Sequence, residues 1–365
     1  MNIALISPSL DQYSETFINA HKEFLKGKIF FYHNGELPTM LQGKPIIYGR
    51  QKRIKHILKG YYRLNDFTLE QEALLESFQV NKIDLVFAEY GSTGETVAEL
   101  CEHLKIPLIV HFHGFDAHHQ NQLIAYQSYK KLFRYASYVI VVSKKMKTDL
   151  INLGCPVEKI VYTVCGPRKE FFDITPDFSK PNFLSAGRFT DKKAPYYVIL
   201  AFARVLKKLP HAKLIMAGEG ELFNTCNNLI RYLRLEKNIK LVGSISPDEL
   251  RKIMASSRAF IQHSLTTPEG NSEGTPVVIT EAGAAGLPVI ATAHAGIADV
   301  IRHNQTGLLS EEHNIDEMAA NIILLASDAD LAKKMGENAR EIVLRDYTMD
   351  KHIAILNSAI SKALS

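Results

Sequence analysis

Residues 260–292 read FIQHSLTTPEGNSEGTPVVITEAGAAGLPVIAT. Residues 260–263 have the character of the end of a short apolar strand, and a polar loop with Pro268, Gly270 and Gly274 follows. From Pro276 the run VVITEAGAAG is small and apolar, which suits a tightly packed helix. Leu287 and Pro288 end it, and Val289 and Ile290 open the next strand. A strand–loop–helix–strand unit points to an α/β protein. The glycine-rich helix entrance offers unpaired N–H groups and the positive end of the helix dipole, a setting for a phosphate. Glu273 stands at that mouth and Glu281 follows eight residues on, about two turns along the same face. One carboxylate can face the occupant of the mouth. The other, among Ala and Gly, needs a hydroxyl or N–H partner, and a ribose diol supplies two hydroxyls.

Upstream, residues 182–186 read as a strand, and Gly187-Arg188-Phe189-Thr190-Asp191-Lys192-Lys193 follows at once. Arg188 and Lys193 lie across one strand-to-helix loop, so both can point at one site. A guanidinium and an ammonium converging there neutralise a diphosphate. Pro195 suits the first turn of the next helix. Further upstream, HFHGFDAHH at 111–119 places four histidines and Asp116 after a buried strand at 107–111. His-x-His can chelate a metal, but no second cluster of His, Cys or Asp supplies the remaining ligands, so no metal is expected. Cys165 has no visible base beside it and reads as structural.

These three elements, in this order, resemble glycosyltransferase family 4, the retaining enzymes of GT-B fold. Glu273 and Glu281 match its E-x7-E segment, Arg188 and Lys193 its G-R-x-x-x-x-K element, and His113-Gly114-Phe115-Asp116 its H-G-x-D. The resemblance implies two Rossmann-like domains with parallel sheets facing a central cleft. It implies that Glu273, with Gly274, Thr275 and Pro276 after it, holds the donor sugar and phosphates, and that Glu281 binds the ribose. Arg188 and Lys193 would bind the donor diphosphate. Gly218, Gly243 and Ile245 fall in the loops that pass the nucleotide. His113 would reach the sugar from the first domain and, with Glu273, serve the reaction. Asp116 would steady its loop or touch the acceptor.

The chain also departs from the family pattern. Its first loop, SLDQYSETFI at 9–18, lacks the glycine pair; SETFI resembles a subset of polysaccharide-synthesis members, and Ser14 and Glu15 become acceptor-side candidates. Ser14 fits a plain helix cap equally well. Cys165-Gly166-Pro167 stands where relatives have Asn-Gly, and Ala194-Pro195 where they have Gly after the lysine.

Strand–helix alternation before residue 170 and after 182 sets the domains: 1–170 on the acceptor side, a linker at 171–181, a nucleotide-sugar domain at 182–346, and a last helix at 347–365 crossing back. Within the first domain, helices are expected at 93–104, 123–135 and 144–153. A length of 365 residues agrees with two domains. No run of eighteen apolar residues is present, and MNIALISPSL reads as a first strand rather than a signal peptide. Four cysteines without C-x-x-C spacing fit free thiols in a cytoplasmic protein. Net charge is +4, so any electrostatic attraction is local. Residues 50–63, RQKRIKHILKGYYR, carry six Lys or Arg and an apolar stripe. That helix fits an anionic membrane surface, placing the protein on the inner face of the membrane, or a helix docked on its own domain. No nucleic-acid motif accompanies it.

The expected substrate is a UDP- or GDP-sugar, with a glycan or lipid-linked acceptor. Two other classes remain: a GT-B sugar-nucleotide epimerase or hydrolase, which needs an acid/base pair, and a non-catalytic sugar-nucleotide-binding module.

Overall fold

The structure, a computed structural model, describes residues 1–10, 16–46 and 67–365. Ser14, Glu15 and the basic segment 50–63 lie outside the described residues. The first sheet holds β1 (Asn2–Ile6), β2 (Lys28–His33), β3 (Met40–Leu41), β4 (Lys44–Pro45), β5 (Leu85–Glu89), β6 (Leu108–His111), β7 (Tyr138–Val141) and β8 (Ile160–Tyr162). Its order is β4-β3-β2-β1-β5-β6-β7-β8, parallel except at the edge, where β3 runs antiparallel to both β2 and β4. The second sheet holds β9 (Asn182–Ala186), β10 (Lys213–Ala217), β11 (Ile239–Leu241), β12 (Ala259–Gln262), β13 (Val289–Thr292) and β14 (Gly307–Ser310). Its order is β11-β10-β9-β12-β13-β14, parallel throughout.

Both sheets reverse their winding once, between β1 and β5 in the first and between β9 and β12 in the second. The second order is the 3-2-1-4-5-6 arrangement of a dinucleotide-binding fold, in which ligands sit beyond the carboxyl ends of the strands flanking the reversal. Each sheet is covered on both faces, as parallel strands require. Alternate residues serve opposite cores. Ala4 and Ile6 join the cluster with Val86, Val110 and Phe78, whereas Ile3 and Leu5 join Phe87 and Ile109. The same alternation divides Phe183 from Leu184 in the second sheet.

Ile353, Leu356, Ala359 and Ile360 of the final helix, Met349–Ala363, pack into the core with Ile3, Leu5 and Phe87. The end of the chain therefore seals the outer face of the first sheet. Where it crosses, a Cβ on Gly166 would overlap the backbone of Thr348 and Met349. The segment at 171–181 is less free than its sequence suggests. Phe171 and Ile174 are buried in a core with Leu184, Met254 and Phe260.

The helix expected over 123–135 is broken into Gln120–Ala125, a 3-10 turn at Gln127–Tyr129, and Lys130–Tyr135. Gln127, Ser128 and Tyr129 all have positive φ. Tyr129 is fully buried, and its hydroxyl donates to the Asp116 carbonyl at 2.6 Å. Burial of that ring accompanies the interruption of the helical path.

The short helix Val277–Ala284 ends against a guanidinium. Arg340 Nε donates to the Ala284 carbonyl at 2.9 Å, and one of its terminal nitrogens to Ala285 at 2.7 Å and to Ile174. A cation at a helix C-terminus also complements the dipole. Arg340→Ala is expected to lower the unfolding free energy by about 2–4 kcal/mol in urea titrations, because buried carbonyls lose a charged donor. Arg340→Lys should recover less than half of it, having no fork. A loss below about 0.5 kcal/mol would show that water replaces the guanidinium without penalty.

Candidate active site

The carboxyl ends of β9 and β12 face those of β5 and β6 across a cleft of about 1500 Å³, lined by both domains. This exceeds an ordinary small-ligand pocket and leaves room for two substrates.

The loop after β9 forms one wall. Phe189 is buried and pins it, and Gly218 and Gly220 back it. Gly218 donates its N–H to the Gly243 carbonyl at 2.7 Å, and a Cβ on Gly218 would overlap the Gly187 carbonyl. Gly243 thus stands behind the cleft, while Gly218 and Ile245 line it. Arg188 is exposed along the cleft. Lys193 Nζ lies 3.1 Å from Glu273 Oε1. Lys192 is not distinguished by sequence from its neighbour Lys193. It is 7% exposed, and its Nζ donates to the Ser272 carbonyl at 3.3 Å. Burial lowers its pKa, against the pull of Glu273.

Glu273 does not share a helix with Glu281. The helix begins at Val277 with Pro276 as its cap residue, so Glu273 approaches from the loop and helical phase does not relate the two. No side chain caps this helix, and its first N–H groups, with Gly274, Thr275 and Pro276, border the cleft. Burial would raise the Glu273 carboxyl, but Lys193 and Lys192 outweigh it and hold it at about 2. His294 steadies the backbone. The Glu273 N–H donates to His294 Nε2 at 3.1 Å, so the ring proton sits on Nδ1, 2.6 Å from Glu312 Oε1. Glu281 is in the opposite condition. Burial pushes it up to about 7, with only Arg168 opposing.

His113 forms the facing wall. Its ring stacks on Phe17 at a centroid distance of 4.2 Å, and its Nε2 lies 2.8 Å from Glu89 Oε2. The Asp116 carboxylate accepts the N–H groups of Gly91, His113 and Gly114 at 2.7, 2.9 and 3.1 Å, and the residue is 1% exposed. Of its two expected roles, Asp116 has the geometry of steadying the loop and not of meeting an acceptor. The two walls touch. A Cβ on Gly114 would stand 2.7 Å from the Gly274 nitrogen, and Thr275 Oγ1 donates to the Val142 carbonyl at 2.5 Å.

Among the described residues one trio, His21, Glu89 and His111, has possible ligand atoms within 4.8 Å of one another. The 2.6 Å contact of His21 Nδ1 with Glu89 Oε1 is a hydrogen bond, as is that of His113 with Oε2. No described helix is long and apolar enough to cross a membrane.

Two parallel-sheet domains around a cleft carrying this constellation define a GT-B protein. Residues 30–166 match the family model described as Glycosyltransferase Family 4, and residues 168–342 that described as Glycosyl transferases group 1. The chain belongs to glycosyltransferase family 4. It is 32% identical over 251 residues to the amylovoran biosynthesis glycosyltransferase AmsK of Erwinia amylovora, an alignment covering 67% of this chain and 61% of AmsK. It is 26% identical over 289 residues to the putative colanic acid biosynthesis glycosyltransferase WcaL of Escherichia coli, covering 76% and 71%. The alignment thus spans less than two thirds of the length of AmsK. Among solved structures, HepE of Anabaena in complex with UDP matches with a TM-score of 0.77 at 19% identity, over 100% of this chain and 99% of that one. Sucrose-phosphate synthase of Thermosynechococcus elongatus matches at 0.75 and 19%, over 99% and 98%.

The carboxylate of Glu273 is depressed below its unfolded value. Its contribution to stability is therefore present above pH 4.5 and is lost as pH falls toward 2. The unfolding free energy of wild type should exceed that of Glu273→Gln by more at pH 6 than at pH 3, the difference shrinking by about 1–3 kcal/mol. Parallel curves for the two proteins across that range would show that Lys192 and Lys193 do not hold the anion.

Proposed function

We propose that this chain transfers a hexose-type sugar from a nucleotide diphosphate to an acceptor hydroxyl, with retention at the anomeric carbon. The observation that carries this reading is that Arg188, Lys193 and the uncapped helix entrance at Val277 line the same cleft as His113. The second domain would bind the donor, and the first would admit the acceptor.

In the transfer, the bond from C1 to the phosphate oxygen breaks and its electron pair stays with the phosphate. Arg188, Lys193 and the helix N–H groups stabilise that growing charge, so the reaction needs no metal. Glu273, held ionised by Lys193 and Lys192, faces the sugar, where positive charge develops. His113 orients the sugar from the other wall. The acceptor oxygen bonds to C1 on the face the phosphate leaves, and its proton passes to a leaving phosphate oxygen. Glu281 accepts the ribose hydroxyls. The names of AmsK and WcaL favour an acceptor in polysaccharide synthesis, including a lipid-linked glycan, and the UDP in HepE favours a UDP-sugar donor. The basic segment 50–63 would meet an anionic membrane at the cytoplasmic face.

A calorimetric panel of UDP-, GDP-, ADP- and TDP-sugars tests the donor site. One base should bind with EDTA present, and Lys193→Ala should weaken it by about 10–100-fold. A folded chain that binds none of them would overturn the donor reading.

The state of Glu281 adds a second expectation. Its carboxyl lies at about 7, and ribose hydroxyls donate to the ionised form, so nucleotide binding releases a proton. From pH 6 to pH 8 the affinity for UDP should rise by about 3–10-fold more in wild type than in Glu281→Gln, where only the titration of the UDP phosphate remains. Equal pH slopes in the two proteins would remove Glu281 from the ribose.

A further inference from the structure

A second buried carboxylate takes no part in the transfer described above. Glu89 ends β5, fully buried among apolar strand residues. An unpaired carboxylate in that place would be strongly disfavoured, because burial strips an ion of its water. Both of its oxygens are engaged. Oε1 lies 2.6 Å from His21 Nδ1, and Oε2 lies 2.8 Å from His113 Nε2, with His111 Nδ1 3.3 Å away. The chain of contacts continues outward. His21 Nε2 lies 2.9 Å from His352 Nε2, and His352 Nδ1 lies 3.0 Å from Thr163 Oγ1. Cys165 Sγ, at 3.8 Å from His352 Nε2, closes the cluster. Five elements thus meet here: the first helix, Thr16–Phe24; β5; β6 with its following loop; the segment after β8; and the final helix.

The protons can be placed from this geometry. An ionised carboxylate only accepts, so His21 Nδ1 and His113 Nε2 both carry hydrogen. Burial would raise Glu89, but His21, His111 and His113 outweigh it and keep it well below the usual range. With Nε2–H given to Glu89, a neutral His113 has its lone pair on Nδ1. Only Nδ1 remains for a ligand in the cleft, and it is an acceptor. Stacking on Phe17 fixes the plane of the ring. In the cleft the His113 ring therefore accepts a hydrogen bond from a hydroxyl rather than donating one.

We propose that Glu89 is a positioning residue for the transfer: it sets the tautomer and direction of His113, and His21, backed by His352 on the final helix, completes the hold. This rests on the donor reading given above. It assigns the final helix a place in the site, since His352 reaches His113 through two intermediates.

Two measurements test it. Long-range proton–nitrogen NMR of the imidazoles in the unaltered chain should show His113 protonated on Nε2 alone at pH 7.5. Protonation on Nδ1 overturns the proposal whatever any variant does. In Glu89→Gln, affinity for UDP should stay within about twofold, because its contacts lie on the other domain. Turnover with the UDP-sugar should fall by about 10–100-fold, with KM for the donor changed less, and the His113 tautomers should mix. Wild-type kcat in this variant overturns the proposal. So does stoichiometric retention of zinc after dialysis with shifted His21 and His111 resonances, which would make Glu89 a metal ligand. If wild type binds no nucleotide, the donor reading fails while the tautomer still reports whether Glu89 holds the ring.

Discussion

The structure turns on a place where two backbones touch. Gly114 has a φ of +119°, and a Cβ there would meet Gly274 N, Ser272 O and the Glu273 carbonyl carbon within 2.9 Å. Seen from the other side, a Cβ on Gly274 would stand 2.8 Å from the His113 carbonyl oxygen, and one on Gly296 would overlap Thr275 Oγ1. Three glycines from three separate segments thus let His113 and Glu273 approach across the cleft. A Cβ on Gly114 or Gly274 would collide with atoms of the facing domain. The fold serves this contact. β6 delivers the Gly114 loop, β12 the Gly274 loop, and β13 the turn at Gly296.

Closing the cleft makes its charges expensive, and the site answers in a repeated way. A histidine–carboxylate pair stands behind each wall. Glu89 holds His113, and Glu312 holds His294, which in turn accepts the Glu273 N–H. The two carboxylates of the cleft then diverge. Glu273 has Lys193 and Lys192 against it and falls to about 2, whereas Glu281 has only Arg168 and rises to about 7. One carboxylate is held by the protein's own cations, and the other awaits a partner.

The sequence carried the architecture well where physics is local. The apolar run before Glu89 and the short strand before the Gly187 loop mark the strands at 85–89 and 182–186 with their observed ends. The two domains and their cleft are what the family resemblance implies, whereas the order of strands in each sheet is visible only in the structure. The interrupted helix at 127–129 was not legible, because a buried Tyr129 hydroxyl, not a Gly or Pro, marks the break. Nor was the support behind His113. His21 and His352 are 331 positions apart, and a pair at that separation leaves no periodic trace. Lys192 was hidden differently. Adjacent lysines look alike as letters, and only the turn shows which one is buried.

That turn accounts for the departure at Ala194. The residue has φ +36° and ψ +54°, left-handed backbone that glycine adopts freely and an L-residue at a cost of about 1–2 kcal/mol. The preceding-proline rule works against helical backbone there too. Yet Ala194 is fully buried, its N–H is shared between the Thr190 and Asp191 carbonyls at 3.0 and 2.9 Å, and Pro195 begins the helix Pro195–Leu206. The surroundings over-determine the strain. A loop that could relax would let consecutive lysines swing to solvent, as lysines on a mobile loop do. Held at this turn, Lys192 is carried to the Ser272 carbonyl and Lys193 to the Glu273 carboxylate. Strained backbone at Ala194 therefore accompanies the fixed direction of the two cations just before it.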